Sequence, residues 1–157
     1  MILKYLDWPK IPKELYPDVE RIIKNNKDEI AKYTGEEFLV YKFYPIDGDL
    51  LQWLRTNLPI KFGSHMQCCH LHVMTGPIKL HHDANFERYK CNYIFKLGGD
   101  NVRTDFYDDS KKNIIESNCV EALRWHQFDG QIYHNVYNIT PGDARIAITI
   151  GTDELFT

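Results

Sequence analysis

Apolar residues recur at helical spacing in the first third of the chain and at alternating or clustered positions afterwards. From Pro12 to about Tyr33, the residues Leu15, Val19, Ile22, Ile23, Ile30 and Ala31 fall near i, i+3, i+4 spacing with charges between them. That is the pattern of a helix laying one apolar stripe on a sheet. A short strand is expected over 38–44, followed by a second helix that opens at Asp47 and stops near Pro59.

Near residue 60 the character changes. Short β-type runs follow over Cys69–Met74, Tyr89–Leu97, Arg103–Tyr107, Leu123–Phe128, Tyr133–Ile139 and Ala144–Ile150. Turn residues punctuate them at Gly76-Pro77, Gly98-Gly99-Asp100 and Pro141-Gly142-Asp143. The spacing favours antiparallel pairing, so the expected fold is mainly β, a sandwich or flattened barrel backed by N-terminal helices. The whole of 1–157 reads as one domain, with 1–60 as a helical support region and 61–157 as the β core.

Composition narrows the function classes. At 157 residues with 43% hydrophobic content, the chain can build a core without disulfide staples. Its four cysteines, Cys68, Cys69, Cys91 and Cys119, lack C-x-x-C spacing and read as buried thiols of a reducing compartment. Adjacent strand residues point to opposite faces, so Cys68 and Cys69 with His70 and His72 do not make a tetrahedral zinc site. The first residues, Met1 to Pro9, are too interrupted for a signal core, and no run is long enough to span a membrane. A cytoplasmic location is expected, which leaves the acceptor pattern Asn138-Ile139-Thr140 without glycosylation machinery. The net charge of -3 argues against a nucleic-acid scaffold.

The chemistry concentrates in His81-His82-Asp83 and His134. In an extended segment His81 and Asp83 share a face while His82 points away; a bulge would instead make His82 the ligand. His134 lies 51 residues after Asp83 (134 minus 83), enough for intervening strands to return it to the first pair. Two imidazoles and a carboxylate on one face of an octahedron leave positions open for a keto-acid and dioxygen. Thr140-Pro141-Gly142-Asp143 suits a tight turn. Taken as a hairpin, it pairs His134 with Thr149 and Asn138 with Arg145, and puts His134, Val136, Asn138, Arg145, Ala147 and Thr149 on one face. The other face carries Tyr133, Tyr137, Ile139, Ile146, Ile148 and Ile150, which should pack on the helices. His134 and Arg145 would then stand about 13 Å apart at about 3.3 Å per residue, a gap that a five-carbon diacid and an arginine side chain bridge.

These residues resemble the Fe(II)/2-oxoglutarate-dependent oxygenase superfamily, whose motif is His-x-Asp/Glu, a distant His and an Arg about ten residues later. The segments 76–85, 88–99 and 104–108 are similar to prolyl 4-hydroxylase-like members, and His134 to Thr140 with Arg145-Ile146 to aspartyl/asparaginyl β-hydroxylases. The resemblance covers roughly 65–151. It implies a double-stranded β-helix (jelly-roll, cupin-like), Fe(II) held by His81, Asp83 and His134, and 2-oxoglutarate anchored by Arg145. His72 and Tyr93 would contact that co-substrate, with dioxygen as oxidant, a C–H bond hydroxylated, and succinate and CO2 released. The substrate class stays open among a protein or peptide side chain, a free amino acid or other small molecule, and a nucleobase. Loops 83–88 and 108–118 would cover it. A non-oxidative cupin-like metal- or ligand-binding protein is the alternative, and an interaction module with incidental histidines is a third reading.

Overall fold

A computed structural model of the chain describes residues 1–33, 41–60, 69–83 and 87–157. Residues 38–40 of the expected first strand, Cys68, and residues 84–86 of the first candidate loop lie outside the described residues.

The expected single N-terminal helix is interrupted. A 3-10 turn, Lys13–Leu15, leads into α1, Tyr16–Asn25, and then α2, Lys27–Tyr33. The break falls at Asn26, which leaves helical geometry (φ -112, ψ 12) while its side-chain amide donates to the Ile22 carbonyl at 2.8 Å. Asparagine competes for backbone hydrogen bonds in this way, which suits it to helix ends rather than interiors. A third helix, α3, covers Gly48–Asn57. Asp47 precedes it as expected but binds Arg21 at 2.6 Å, and Asp18 of α1 accepts the Leu50 N–H instead.

Ten strands are present among the described residues: β1 Lys4–Tyr5, β2 Tyr41–Pro45, β3 Cys69–Met74, β4 Ile78–His81, β5 Tyr89–Lys96, β6 Arg103–Tyr107, β7 Ile114–Asn118, β8 Trp125–Asp129, β9 His134–Tyr137 and β10 Arg145–Thr152. They form two antiparallel sheets, β1-β8-β5-β10-β3-β2 and β4-β9-β6-β7. Residues 1–60 therefore supply strands β1 and β2 as well as helices, because their alternating apolar side chains complete the large sheet at both edges.

The large sheet is buried on both faces. On one, Leu71, Val73, Cys91, Tyr93, Trp125, Ile148 and Ile150 pack against Val19, Ile22, Leu50 and Leu54 of the helices. On the other, Ile94, Phe128 and Ala147 meet Phe106 of the small sheet. Tyr44, on β2, faces the helices, and its hydroxyl donates to Glu29 of α2.

The expected β9–β10 hairpin does not form. The turn closes, with the Asp143 N–H donating to the Thr140 carbonyl at 2.9 Å, yet β9 pairs with β4 and β6 whereas β10 pairs with β3 and β5. Asn138 adopts a left-handed φ of 66, which ends β9 and sends the chain across to the other sheet. Ile146, Ile148 and Ile150 do pack on the helical side. Ile139 instead joins Met74, Val102 and Val136, and Tyr133 and Tyr137 remain half-buried on the small sheet.

Residues 108–118 are also more ordered than a covering loop. Asp108 caps a turn through Ser110 and Asn113, and 114–118 form β7 against β6. Of the cysteines, Cys69 and Cys91 are buried thiols while Cys119 is exposed, its sulfur receiving an Arg103 N–H at 3.2 Å. Among the described residues no helix is long and apolar enough to cross a membrane.

Candidate metal centre and anion pocket

Strand pairing brings the two histidines together. β4 and β9 run antiparallel with His81 opposite His134, and a one-residue irregularity between Ile78 and His81 sets that register. Bulges re-aim side chains in this manner. The rings stand 4.4 Å apart. Asp83 lies just past β4, where its N–H donates to the Gly130 carbonyl at 2.7 Å. Its two carboxylate oxygens sit 3.6 Å from His81 Nε2 and 3.9 Å from His134 Nε2. One ligand atom from each of the three lies within 4.8 Å of the others. His82 turns outward and packs edge-on against Tyr133 at 4.8 Å, so the outer histidine is not part of the cluster.

Both clustered imidazoles are held in one tautomer. His81 Nδ1 is 2.8 Å from the Lys79 carbonyl and His134 Nδ1 is 2.7 Å from the Ile132 carbonyl. An N–H donated there leaves each Nε2 as a lone pair aimed at the space beside Asp83, the arrangement metal-ligating histidines show. Burial, then the neighbouring His81, hold His134 below the ordinary histidine range, outweighing Asp83. A neutral imidazole is the form that binds a metal. The donor set of two nitrogens and one carboxylate suits a divalent transition metal with open positions.

Gly130 determines how close the carboxylate comes. A Cβ there would stand 2.8 Å from Asp83 Oδ2 and 3.2 Å from the Arg88 carbonyl, so Gly130→Ala must displace Asp83. The expected result is a Zn(II) or Fe(II) affinity about 10- to 100-fold weaker with the circular dichroism unchanged, measured by calorimetric titration. Unaltered affinity would show that Asp83 is not held by this contact.

The cluster opens into a cavity of about 260 Å³ between the sheets. Arg145 crosses it from β10. The residue is 6% exposed, its Nη1 donates to Thr104 Oγ1 of β6 at 3.5 Å, and its Nε and Nη2 have no partner. Burial pushes the guanidinium down to about 10. Asp83 is the single carboxylate among the described lining residues, against Arg145 and Lys90. A buried cation without a counterion is costly unless something anionic joins it. Thr104 pairs with Val136, two residues along β9 from His134, about 6.6 Å at about 3.3 Å per residue. The cation and the His-Asp-His cluster thus address one cavity from facing sheets, rather than from neighbouring strands 13 Å apart.

His72 reaches the same cavity from β3 with Nε2 unpartnered, and the Asn92 Oδ1 on β5 is likewise buried and unpartnered. Tyr93 does not reach it. It is buried on the helical face of the large sheet, between Phe95 and Trp125, because the even-numbered residues of β5 face the cavity. Asn92, His126 and Thr104 were not singled out by the sequence; the signal for Asn92 was its placement opposite Tyr93 on the same strand.

Burial, with Arg145 as a second cause, pushes both His72 and His126 down to about 3. These pKa values lie below the ordinary 6.5, so the unfolded chain binds more protons below that pH. Their contribution to stability is complete above pH 6.5 and falls as the pH drops toward 3, with up to about 1.4 kcal/mol per pH unit from each. Urea unfolding of the metal-free protein should show a clearly lower midpoint at pH 5.5 than at pH 7.5, before most carboxylates titrate. A flat profile over that window would contradict the burial of the two rings.

Comparison of the sequence with models of known protein families finds no match, and comparison with curated proteins finds none either.

Proposed function

We propose that the protein is a non-haem Fe(II)- and 2-oxoglutarate-dependent oxygenase that hydroxylates a C–H bond, with His81, Asp83 and His134 as the iron ligands. The observation that carries this reading is the joint presence, on one cavity, of a His-Asp-His cluster and a buried arginine with two unused N–H donors. A metal site alone has no use for that arginine. A dicarboxylate that chelates the metal at one end and meets Arg145 at the other satisfies both.

In this reading Arg145 takes the distal carboxylate through its unused donors, a charge-assisted pairing that the guanidinium fork suits. Thr104 orients the guanidinium, and His72 offers its free Nε2 to the same molecule. The apolar lining, including Ile78, Ile94, Phe128 and Val136, keeps water from the reacting end. When bound, iron, 2-oxoglutarate and dioxygen supply the oxidation: one oxygen atom enters the substrate C–H bond, the other enters succinate, and CO2 leaves. The protein's part is to bind, orient and exclude water.

The double-stranded β-helix belongs to the same proposal. It is supported by the order β8-β5-β10-β3 in the large sheet and β4-β9-β6-β7 in the small one, with β3, β4, β5 and β6 and then β8, β9 and β10 alternating between sheets. The buried thiols Cys69 and Cys91 fit a reducing, cytoplasmic setting.

The test is Fe(II)- and O2-dependent conversion of 2-oxoglutarate to succinate, with CO2 released in equal amount. Succinate formation that requires all three supports the proposal. Tight metal binding with no 2-oxoglutarate binding or turnover favours a non-oxidative cupin-like protein.

A further inference from the structure

Arg145 opens β10, an inner strand of the large sheet between β3 and β5, and lines the cavity where Thr104 of β6 meets it. The turn at Gly98 packs on its backbone, so closely that a Cβ there would stand 2.6 Å from the Arg145 nitrogen. A side chain rooted in this way stays between the sheets, buried, with Nε and Nη2 unpartnered.

The acids beside it in sequence and in the cavity lining are engaged elsewhere. Asp143 meets Lys96 Nζ at 2.5 Å and accepts the Ala144 N–H at 2.8 Å. Asp105, next to Thr104, alternates to the opposite face of β6, where it accepts from the Ser117 hydroxyl. Asp83 sits between the two histidines of the cluster. His72 and His126 line the same cavity, and burial, with Arg145 as a second cause, keeps them neutral down to about 3. They add no second positive charge. Lys90, the other cation of the lining, pairs with Gly151, six residues along β10 (151 minus 145), and so belongs to the other end.

We propose that Arg145 binds a small monovalent inorganic anion, chloride, which occupies its unused donors until 2-oxoglutarate displaces it. The anion site stands on the buried guanidinium alone, whereas the competition rests on the reading of Arg145 as the co-substrate anchor. A buried cation needs a counterion, and a guanidinium offers only donors, so its partner must be an acceptor without protons to give. One charge is enough: a monovalent anion makes the end of the cavity neutral. A dianion there leaves a buried negative charge in the metal-free protein, and the second carboxylate of 2-oxoglutarate is matched only when a metal is held at the cluster. Metal-free protein therefore prefers chloride and metal-loaded protein prefers 2-oxoglutarate, which makes chloride a competitor for the co-substrate.

The test is thermal unfolding of the full-length metal-free protein in sodium chloride and in sodium fluoride at matched ionic strength, since fluoride holds its water too tightly to enter an apolar cavity. Chloride at about ten times its dissociation constant should raise the melting temperature by about 4 °C more than fluoride, and the rise should saturate. Arg145→Met and Arg145→Gln should melt alike in the two salts. In the Fe(II)-loaded protein the same chloride concentration should raise the apparent 2-oxoglutarate dissociation constant about tenfold without changing the number of sites. Equal melting of the wild-type protein in both salts, or a chloride effect that persists in both variants, overturns the anion site. Binding of 2-oxoglutarate that requires Arg145 yet ignores chloride also overturns it and leaves the co-substrate anchor in place. Saturable chloride binding that requires Arg145, with no binding of 2-oxoglutarate, upholds the anion site and removes the anchor.

Discussion

Asp83→Ala leaves the fold intact and lowers Fe(II) affinity by well over 100-fold. Removing a partner that only orients a ligand typically costs about 10- to 100-fold, so loss of a ligand itself costs more. Asp83 is the cleaner position for this test, because its side chain lies at the cavity mouth and its fold-bearing contact, the N–H to the Gly130 carbonyl, survives the substitution. His134→Ala should also abolish binding, but it empties a site packed by Phe106 and Phe128 and so destabilises as well. Metal titration followed by thermal unfolding separates the two. Wild-type protein gains a metal-dependent rise in melting temperature, as a ligand that binds only the folded state must give, and Asp83→Ala loses that rise while its metal-free melting temperature is kept. A full metal-dependent rise in the variant would remove Asp83 from the site.

Arg145→Met has two effects of opposite sign. The metal-free protein becomes more stable, because a guanidinium held at about 10 instead of 12.5 by burial alone represents roughly 3 kcal/mol of disfavoured charge. An apolar side chain of similar length removes that cost. At the same time 2-oxoglutarate affinity falls by about 100-fold, the worth of a charge-assisted hydrogen bond at roughly 1.5–3 kcal/mol. An arginine retained for structure would behave differently, losing stability on substitution with no effect on ligand. Chemical denaturation of the metal-free protein, paired with ligand titration of the Fe(II) form, reads both. A variant that is less stable and binds 2-oxoglutarate normally would contradict the anchor.

The sequence exposes the cluster better than the path of the chain around it. His81, Asp83 and His134 are recognisable because few side-chain types bind transition metals and their spacing suits a folded sheet. Arg145 was reached by a wrong route: a hairpin was expected across Pro141-Gly142, whereas the left-handed Asn138 parts β9 from β10 into facing sheets. A local turn pattern specifies the reversal but not the partner strand. Both arrangements aim His134 and Arg145 into a common space, so the two side chains meet one cavity despite the topological error.

Tyr93 fails for a related reason. Period-two alternation separates the faces of β5 but does not say which is the cavity when both are buried. Cys91, Tyr93 and Phe95 face the helices, and Lys90, Asn92 and Ile94 face the site. The strands β1, β4 and β7 were unread because two are very short, and β7 follows the polar stretch Ser110 to Asn113 as an exposed edge. Edge strands carry weak apolar patterns, so little in such a run separates it from a loop. The break at Asn26 was similarly hidden, since the apolar positions on either side keep a helical spacing.

The most direct measurement of the central claim is anaerobic titration of 2-oxoglutarate into the Fe(II)-loaded protein, followed by visible absorption, with Arg145→Met in parallel. Bidentate chelation of the iron by the keto-acid should give a weak charge-transfer band that saturates in the wild-type protein and needs about 100-fold more ligand in the variant. Fe(II) bound in stoichiometric amount with no band, or a band equally saturable in both proteins, would contradict the assignment of this cavity to iron, 2-oxoglutarate and Arg145 together.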